Sequence, residues 1–336
     1  MLDEARQAPA AVARLMGADE PLYAQWGSHW RRRVPPAVVT LARGSSDHAA
    51  HYFAYLAMAR VGCLVTSLPP SLITLHRAPM QGRGVLAVAY SQSGRSPDLI
   101  QALRCLGRAG AQTYAVVNNA ASPLARVAGT VLPLHAEAET SVAATKSFIA
   151  QLVVGARLVA AARRDTPTQR ALLALPAVLA RALEVDPSLA LPPLLDAQRM
   201  FVVGRGVGMA ITMEAALKLK ELCGIQAEAI SAAELRHGPL ALIGPGYPVL
   251  MFAPRGASQR GVLELAADLR TRGAQVVMLA PQGTPGAQIE VPKAGMSDLD
   301  PVVIIQVFYC LVEALARARG LDPDAPRHLS KVTLTR

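Results

Sequence analysis

Val85-Leu86-Ala87-Val88-Ala89-Tyr90-Ser91-Gln92-Ser93-Gly94-Arg95-Ser96-Pro97 is the stretch from which the rest of the chain is read. Six apolar residues form a strand, and the residues that follow end it in small hydroxyl groups and a glycine before a helix opens. Such a junction gathers backbone N–H groups and serine hydroxyls around one point. Two readings fit it. The helix N-terminus, with its unpaired donors and positive dipole end, binds a phosphate; or the segment is a plain capping turn, with Ser96 as N-cap and Pro97 at the first helical position.

Outward from this stretch, short β-branched runs alternate with longer Ala/Leu-rich segments of helical period, the pattern of βαβ units and a mostly parallel sheet. The fold class is α/β. Strands are expected at Ala37–Ala42, Leu64–Ser67, Val85–Tyr90, Gln112–Val117 and Thr130–Leu134, with helices near Asp47–Arg60, Ser96–Ala109 and Ala143–Arg163. In the second half strands are expected at Met200–Val203, Ala227–Ile230, Val249–Ala253 and Gln275–Leu279, with helices near Met209–Cys223, Ser258–Arg272 and Pro301–Arg319. Asp186 to Pro193, with three prolines in eight positions, reads as a linker. A strand running into a glycine turn, Val39-Thr40-Leu41-Ala42-Arg43-Gly44-Ser45-Ser46, recurs as Phe201-Val202-Val203-Gly204-Arg205-Gly206-Val207-Gly208, so the halves read as an internal repeat. The expected divisions are a helical N-terminal segment over 1–35, packing across a subunit interface, a phosphate-binding lobe over 36–186, a second lobe over 194–325 and a tail over 326–336.

A second hydroxyl turn, Gly44-Ser45-Ser46, also lies between a strand and a helix, where open α/β sheets bind ligands at the carboxyl ends of their strands. The equivalent turn of the second lobe, Phe252-Ala253-Pro254-Arg255-Gly256, lacks paired serines, which places the phosphate in the first lobe only. Gly204, Gly206 and Gly208 do not complete a dinucleotide fingerprint, because Met209 or Ile211 stands where the last glycine belongs. They read as a tight turn that lets helix approach strand.

Past that turn, Glu214, Lys218 and Glu221 fall four and three residues apart and share one helix face. The face is either a solvated row of ion pairs or, since Ala, Leu and Cys223 surround it, a carboxylate partly withdrawn from water and suited to moving a proton. His237, beside Gly238-Pro239, is either a local hydrogen-bonding partner or an acid/base group on a rigid loop. Lys331 is either a solvated tail charge or, folded into a site, an amine able to form a Schiff base with a carbonyl.

The bulk composition narrows the class. The 336 residues, 52% hydrophobic, suffice for two cores. Met1-Leu2-Asp3-Glu4 opens with acids and no secretory h-region follows, so a cytoplasmic protein is expected. The apolar run Val302 to Leu315, broken by Gln306 and Glu313, falls short of a membrane span. Cys63, Cys105, Cys223 and Cys310 are scattered in apolar stretches and read as reduced core residues. A formal charge of +10 with only 4% aromatics favours small anions over nucleic acid, although Arg31-Arg32-Arg33 and Arg163-Arg164 fit plain solvated faces equally well.

Taken in order, Ala42-Arg43-Gly44-Ser45-Ser46, Ser91-Gln92-Ser93-Gly94, Ser141-Val142-Ala143-Ala144-Thr145-Lys146, Glu214 to Glu221, Glu234 to Leu240 and Pro326 to Lys331 resemble the isomerase part of glucosamine-6-phosphate synthase and its shorter relatives, the double sugar-isomerase (SIS) domain family. The resemblance implies two tandem SIS domains, each a doubly wound, flavodoxin-like parallel sheet, in a homodimer with shared active sites. It implies substrate-binding positions at Gly44, Ser45, Ser46, Ser91, Gln92, Ser93, Ser96, Val142 and Ala143, with Ser45, Ser91, Gln92, Ser93 and Ser96 around the phosphate and Val142 along the sugar. It implies Glu221 as the acid/base between C1 and C2, His237 as the ring-opening histidine from across the dimer, Lys331 at the ketose carbonyl, and Glu214 and Lys218 in support.

The departures from the synthase point to one branch. No glutaminase domain and no cysteine precede Cys63, so glutamine-dependent synthesis is not expected. Ala144 replaces a serine usual in the synthase loop, and Arg43-Gly44-Ser45-Ser46 replaces its Cys-Gly-Thr-Ser turn; both resemble the short glucosamine-6-phosphate deaminases. The expected activity is deamination of glucosamine 6-phosphate to fructose 6-phosphate and ammonia with no metal and no cofactor. Its rivals are ammonia- or glutamine-dependent synthesis, deamination of another amino sugar phosphate, and a non-catalytic sugar-phosphate sensor.

Overall fold

In the computed structural model, which describes residues 1–331, α1 (Leu2–Arg6), α2 (Ala8–Gly17) and α3 (Glu20–Arg32) precede the first strand. The first sheet is threaded by β1 (Val38–Leu41), α4 (Ser45–Val61), β2 (Val65–Ser67), α5 (Ser71–Thr74), β3 (Leu86–Ser91), α6 (Pro97–Arg108), β4 (Gln112–Val117), α7 (Pro123–Val127) and β5 (Thr130–Pro133). Helices α8 (Lys146–Arg163), α9 (Thr166–Ala182) and α10 (Pro192–Leu195) lead to β6 (Arg199–Gly204), α11 (Met209–Cys223), β7 (Gln226–Ser231), β8 (Pro248–Phe252), α12 (Gln259–Thr271), β9 (Gln275–Pro281), β10 (Ile289–Val291) and α13 (Asp300–Ala318).

Both sheets are parallel and five-stranded, ordered β2-β1-β3-β4-β5 and β10-β9-β8-β6-β7. Counted within its own half, the second repeats the 2-1-3-4-5 order of the first, the doubly wound order whose strand sequence reverses between its first and third members. The internal repeat is therefore structural. The expected strands and helices are all present, with ends shifted by a few residues. Helix α9 and the edge strand β10 were not expected; Pro176 lies inside α9, and β10 is three residues long. The stretch Asp186 to Pro193 is folded rather than open: a 3-10 turn spans Ser188–Ala190, and the Ser188 N–H and hydroxyl both donate to the Asp186 carboxylate at 2.9 and 2.8 Å.

The chain gathers into two compact units. One holds the first sheet (Ala10–Thr140, Lys146–Leu173, Ser330 and Lys331), the other the second (Met1–Pro9, Ser141–Thr145 and Ala174–Leu329). In the first-sheet unit, Leu41, Ala87, Ala89, Ala115 and Val117 pack against α6 and α7 through Leu99, Leu103, Leu106 and Leu124. The alternate strand residues face the other way, where α4, α8 and α3 pack together and Phe53 meets Tyr90 with ring centroids 6.3 Å apart. In the second-sheet unit, Phe201, Val203, Val249, Met251 and Met278 pack on α12, while α11 and α13 cover the opposite face, where Phe252 meets Phe308 edge-on.

With the turn before it, α13 gives a 22-residue stretch long and apolar enough to cross a bilayer, longer than the broken run noted in the sequence. An 18-residue apolar run within it is 89% buried, and Gln306 donates to the Ala5 carbonyl at 3.0 Å, as befits the core helix of its unit. All four cysteines are free; Cys63 and Cys223 are buried, Cys105 and Cys310 half-buried. Burial pushes the Cys223 thiol up to about 12, despite nearby Arg319, so it is no nucleophile at neutral pH.

Candidate active site

β1 and β3 are the adjacent strands at which the first sheet reverses order, and the two hydroxyl turns follow them directly. Gly44 caps α4 with φ of +53°, which a side chain adopts only at a cost. Gly94 bears a stronger constraint. Its φ is +61°, and a Cβ there would lie 2.2 Å from the Ser122 Oγ. The turn closes on itself: the Gly94 N–H donates to Ser91 Oγ at 3.0 Å and the Arg95 N–H to Ser93 Oγ at 3.3 Å.

Ser96 occupies the N-cap position of α6, yet its hydroxyl makes no capping bond. The positions of the capping reading hold, with Ser96 at the N-cap and Pro97 first in the helix, but the hydroxyl does not serve the cap. The local acceptor at this helix start is Asp98, whose Oδ1 takes the Leu99 N–H at 2.8 Å and whose Oδ2 takes Arg43 Nε and Nη2 at 2.9 and 2.8 Å. Arg43 thus ties the end of β1 to the start of α6, bracing one hydroxyl turn against the other. Ser46 Oγ accepts from Gln151 Nε2 of α8 at 3.0 Å.

Beside the second turn lies a cavity of about 410 Å³ lined by Gln92, Ser93, Arg95, Asn118, Glu139 and Lys331, among others, within the usual size of small-ligand pockets. Lys331 reaches it from the far end of the sequence and donates to Glu139 Oε2 at 3.2 Å. The solvated-tail reading of Lys331 is corrected accordingly. The rest of the expected tail, 332–336, lies outside the described residues.

The second-sheet unit holds the other expected groups. Glu214 and Lys218 are fully buried on α11, with Lys218 Nζ 3.3 Å from Glu214 Oε1 and 2.7 Å from Glu221 Oε2; Tyr309 Oη donates to Glu214 Oε1 at 3.2 Å. Burial alone would lower the Lys218 pKa, but the two carboxylates outweigh it and hold it above its ordinary value. Glu221, with 21% of its side chain exposed, is the open end of this row. The face is therefore not a solvated row: its carboxylates are withdrawn from water, as the second reading has it, with a buried cation between them. His237 is exposed in a 3-10 turn, Glu234–His237, followed by Gly238 at φ of +148°. Val142 is half-buried and Ala143 buried in the Ser141–Thr145 segment, anchored where the Ser141 N–H meets the Glu4 carboxylate at 3.2 and 3.3 Å. Gly204 packs as the tight-turn reading requires, since a Cβ there would stand 2.0 Å from Thr212 Oγ1.

The structure therefore gathers Gly44, Ser45, Ser46, Ser91, Gln92, Ser93, Ser96 and Lys331 in one unit, and Val142, Ala143, Glu214, Lys218, Glu221 and His237 in the other. Sequence reasoning missed Asp98, Glu139 and Tyr309. The first two stand within two residues of matched segments, at Ser96 and Ser141, which is the only local signal they carry.

Two parallel sheets of one repeated order, with hydroxyl turns at the reversal of the first, define the class: the chain belongs to the SIS domain family, whose model matches residues 34–161 and 193–285. Among particular relatives it is similar to the glutamine–fructose-6-phosphate aminotransferases (isomerizing) of Aeropyrum pernix, 35% identical over 322 residues covering 88% of this chain and 50% of that protein, and of Mycobacterium tuberculosis, 32% identical over 359 residues covering 98% and 57%. The chain spans about half the length of these curated relatives. Among solved structures, a protein from Silicibacter pomeroyi DSS-3 assigned to the phosphosugar isomerases is 39% identical, with a TM-score of 0.89 over 96% of this chain and 99% of that one. A glucosamine-6-phosphate deaminase from Thermotoga maritima shares the fold, with a TM-score of 0.76 at 20% identity over 98% and 100%.

Proposed function

We propose that the protein is an amino sugar phosphate deaminase acting on glucosamine 6-phosphate. The observation that carries the reading is the Glu214–Lys218–Glu221 row, a buried cation whose one accessible neighbour is a carboxylate placed to exchange protons. The phosphate goes to the hydroxyl turns of the first sheet, where the Ser96 hydroxyl is not spent on capping and the positive end of α6 favours an anion.

In this reading His237 opens the sugar ring, Glu221 takes the proton from C2 and returns it at C1, and one amine proton passes to the C1 oxygen. The C2–N bond becomes a ketimine. Water adds at C2, the C–N bond breaks, and fructose 6-phosphate and ammonia leave; Lys331 assists at the C2 carbonyl carbon. Every atom is accounted for by substrate and water. Similarity to proteins named as aminotransferases favours one second reading, the reverse reaction, in which fructose 6-phosphate receives nitrogen from ammonia or glutamine.

The test is ammonia and fructose 6-phosphate formation by the purified chain, with glucosamine 6-phosphate run beside galactosamine 6-phosphate, and fructose 6-phosphate supplied with ammonia or glutamine in parallel. Equimolar release from the gluco sugar is the expected result. Turnover of the galacto sugar alone, or only in the synthetic direction, moves the assignment to that rival, and binding without turnover leaves a sensor.

A further inference from the structure

We propose that Glu139 is the positioning residue that seats Lys331, so that the tail lysine works from a fixed point rather than from a free end; this rests on the reading of Lys331 as the group facing the ketose carbon. Glu139 was singled out by no motif. Its side chain is fully buried, whereas Lys331 keeps 23% of its side chain exposed toward the cavity beside the hydroxyl turn. The carboxylate itself is immobilised by a helix: the Ser147 N–H donates to Oε1 at 3.1 Å and the Ser147 hydroxyl to Oε2 at 2.5 Å.

Ser147 is the second residue of α8, so its N–H is one of the donors that a helix start cannot satisfy internally. The positive end of an 18-residue helix also favours a carboxylate there. Glu139 therefore satisfies the α8 N–H through Oε1 and receives Lys331 Nζ on Oε2 at 3.2 Å. A lysine side chain loses much rotamer freedom when it is fixed, which is entropically costly. A buried acceptor built into the body of the unit removes that freedom before substrate arrives. Misplacement of a reacting group by about 1 Å can cost on the order of 10²-fold in rate, which is why the seat matters.

Two arms test this on the full chain. In the first, competitive acetylation is followed residue by residue by mass spectrometry, with exposed Lys220 as the internal reference. Lys331 should label slowly in the wild type and roughly 10-fold faster in Glu139→Gln, as expected for loss of an interaction of about 1.4 kcal/mol; Glu139→Asp should fall between. An unchanged rate in a folded Glu139→Gln or Glu139→Asp protein overturns the proposal. In the second arm, Glu139→Gln should lower kcat of ammonia release with KM little changed, and Glu139→Gln/Lys331→Met should be no slower than Lys331→Met alone. A double variant slower by the full Glu139→Gln factor assigns Glu139 a role apart from Lys331 and also overturns it. Absence of wild-type turnover would count against the deaminase reading, while the labelling arm would still decide the seat.

Discussion

Removing the Lys218 ammonium would leave the buried Glu214 carboxylate without this cation, and breaking a buried pair in this way costs about 3–5 kcal/mol. Lys218→Met should lower the urea midpoint accordingly, and Glu214→Gln/Lys218→Met should recover part of the loss by removing the stranded charge. The pH dependence follows from the direction of the Lys218 shift. Its folded pKa lies above its ordinary value, so its stabilisation is fully present below an ordinary lysine pKa of about 10.4 and fades only as pH rises through the folded value. Denaturation midpoints should thus be insensitive to this group across neutral pH and fall at strongly alkaline pH, with the fall blunted in the double variant. The residues of this row were legible in the sequence because four- and three-residue spacings define a helix face. Their environment was not. Whether such a face meets water is decided by Tyr309, 95 positions away, and by the packing of α13 on α11.

At the scale of the element, the turn after β3 depends on Gly94. A side chain at its left-handed backbone costs about 1–2 kcal/mol, and the collision with Ser122 Oγ adds to that. Gly94→Ala should lower the melting temperature and weaken sugar-phosphate binding together, and adding Ser122→Ala should not rescue either, because the Ser122 Cβ would still stand 2.6 Å from the new methyl and the α7 cap would be lost. The turn itself could be read from a strand, paired serines and a glycine in succession. Its brace could not: Arg43 and Asp98 are 55 residues apart, and only the adjacency of β1 and β3 brings them together. Helix α11 was read at its full length because its pattern runs unbroken from Met209 to the left-handed cap at Gly224. Helix α9 escaped because an internal proline ordinarily ends a helix.

For the whole molecule, the repeat was visible as two similar strand-to-glycine turns, but the shared 2-1-3-4-5 order rests on pairings between strands far apart in sequence. The repeat also sharpens the asymmetry of function. Where the first sheet presents serines, the corresponding turn of the second presents Arg255, whose Nη2 pairs with buried Asp300 at 2.7 Å. Amide hydrogen exchange with saturating glucosamine 6-phosphate should therefore slow at 44–46 and 91–96 and leave 253–256 unchanged. Equal protection of both sets would argue for two phosphate sites. The same binding should raise overall stability by about 2.7 kcal/mol at a ligand concentration 100 times Kd.

The central claim is that binding and chemistry are divided, the phosphate held by the first-sheet turns and the proton moved by the open carboxylate of α11. Steady-state ammonia release by wild type, Ser96→Ala and Glu221→Gln tests it most directly. Ser96→Ala should raise KM by roughly 10- to 100-fold, the value of about 1.5–3 kcal/mol for a hydrogen bond to a charged group, with kcat nearly kept. Glu221→Gln should lower kcat by about 10²- to 10⁴-fold, the usual share of acid/base catalysis, with KM nearly kept. A Glu221→Gln protein that releases ammonia at the wild-type kcat would contradict the account.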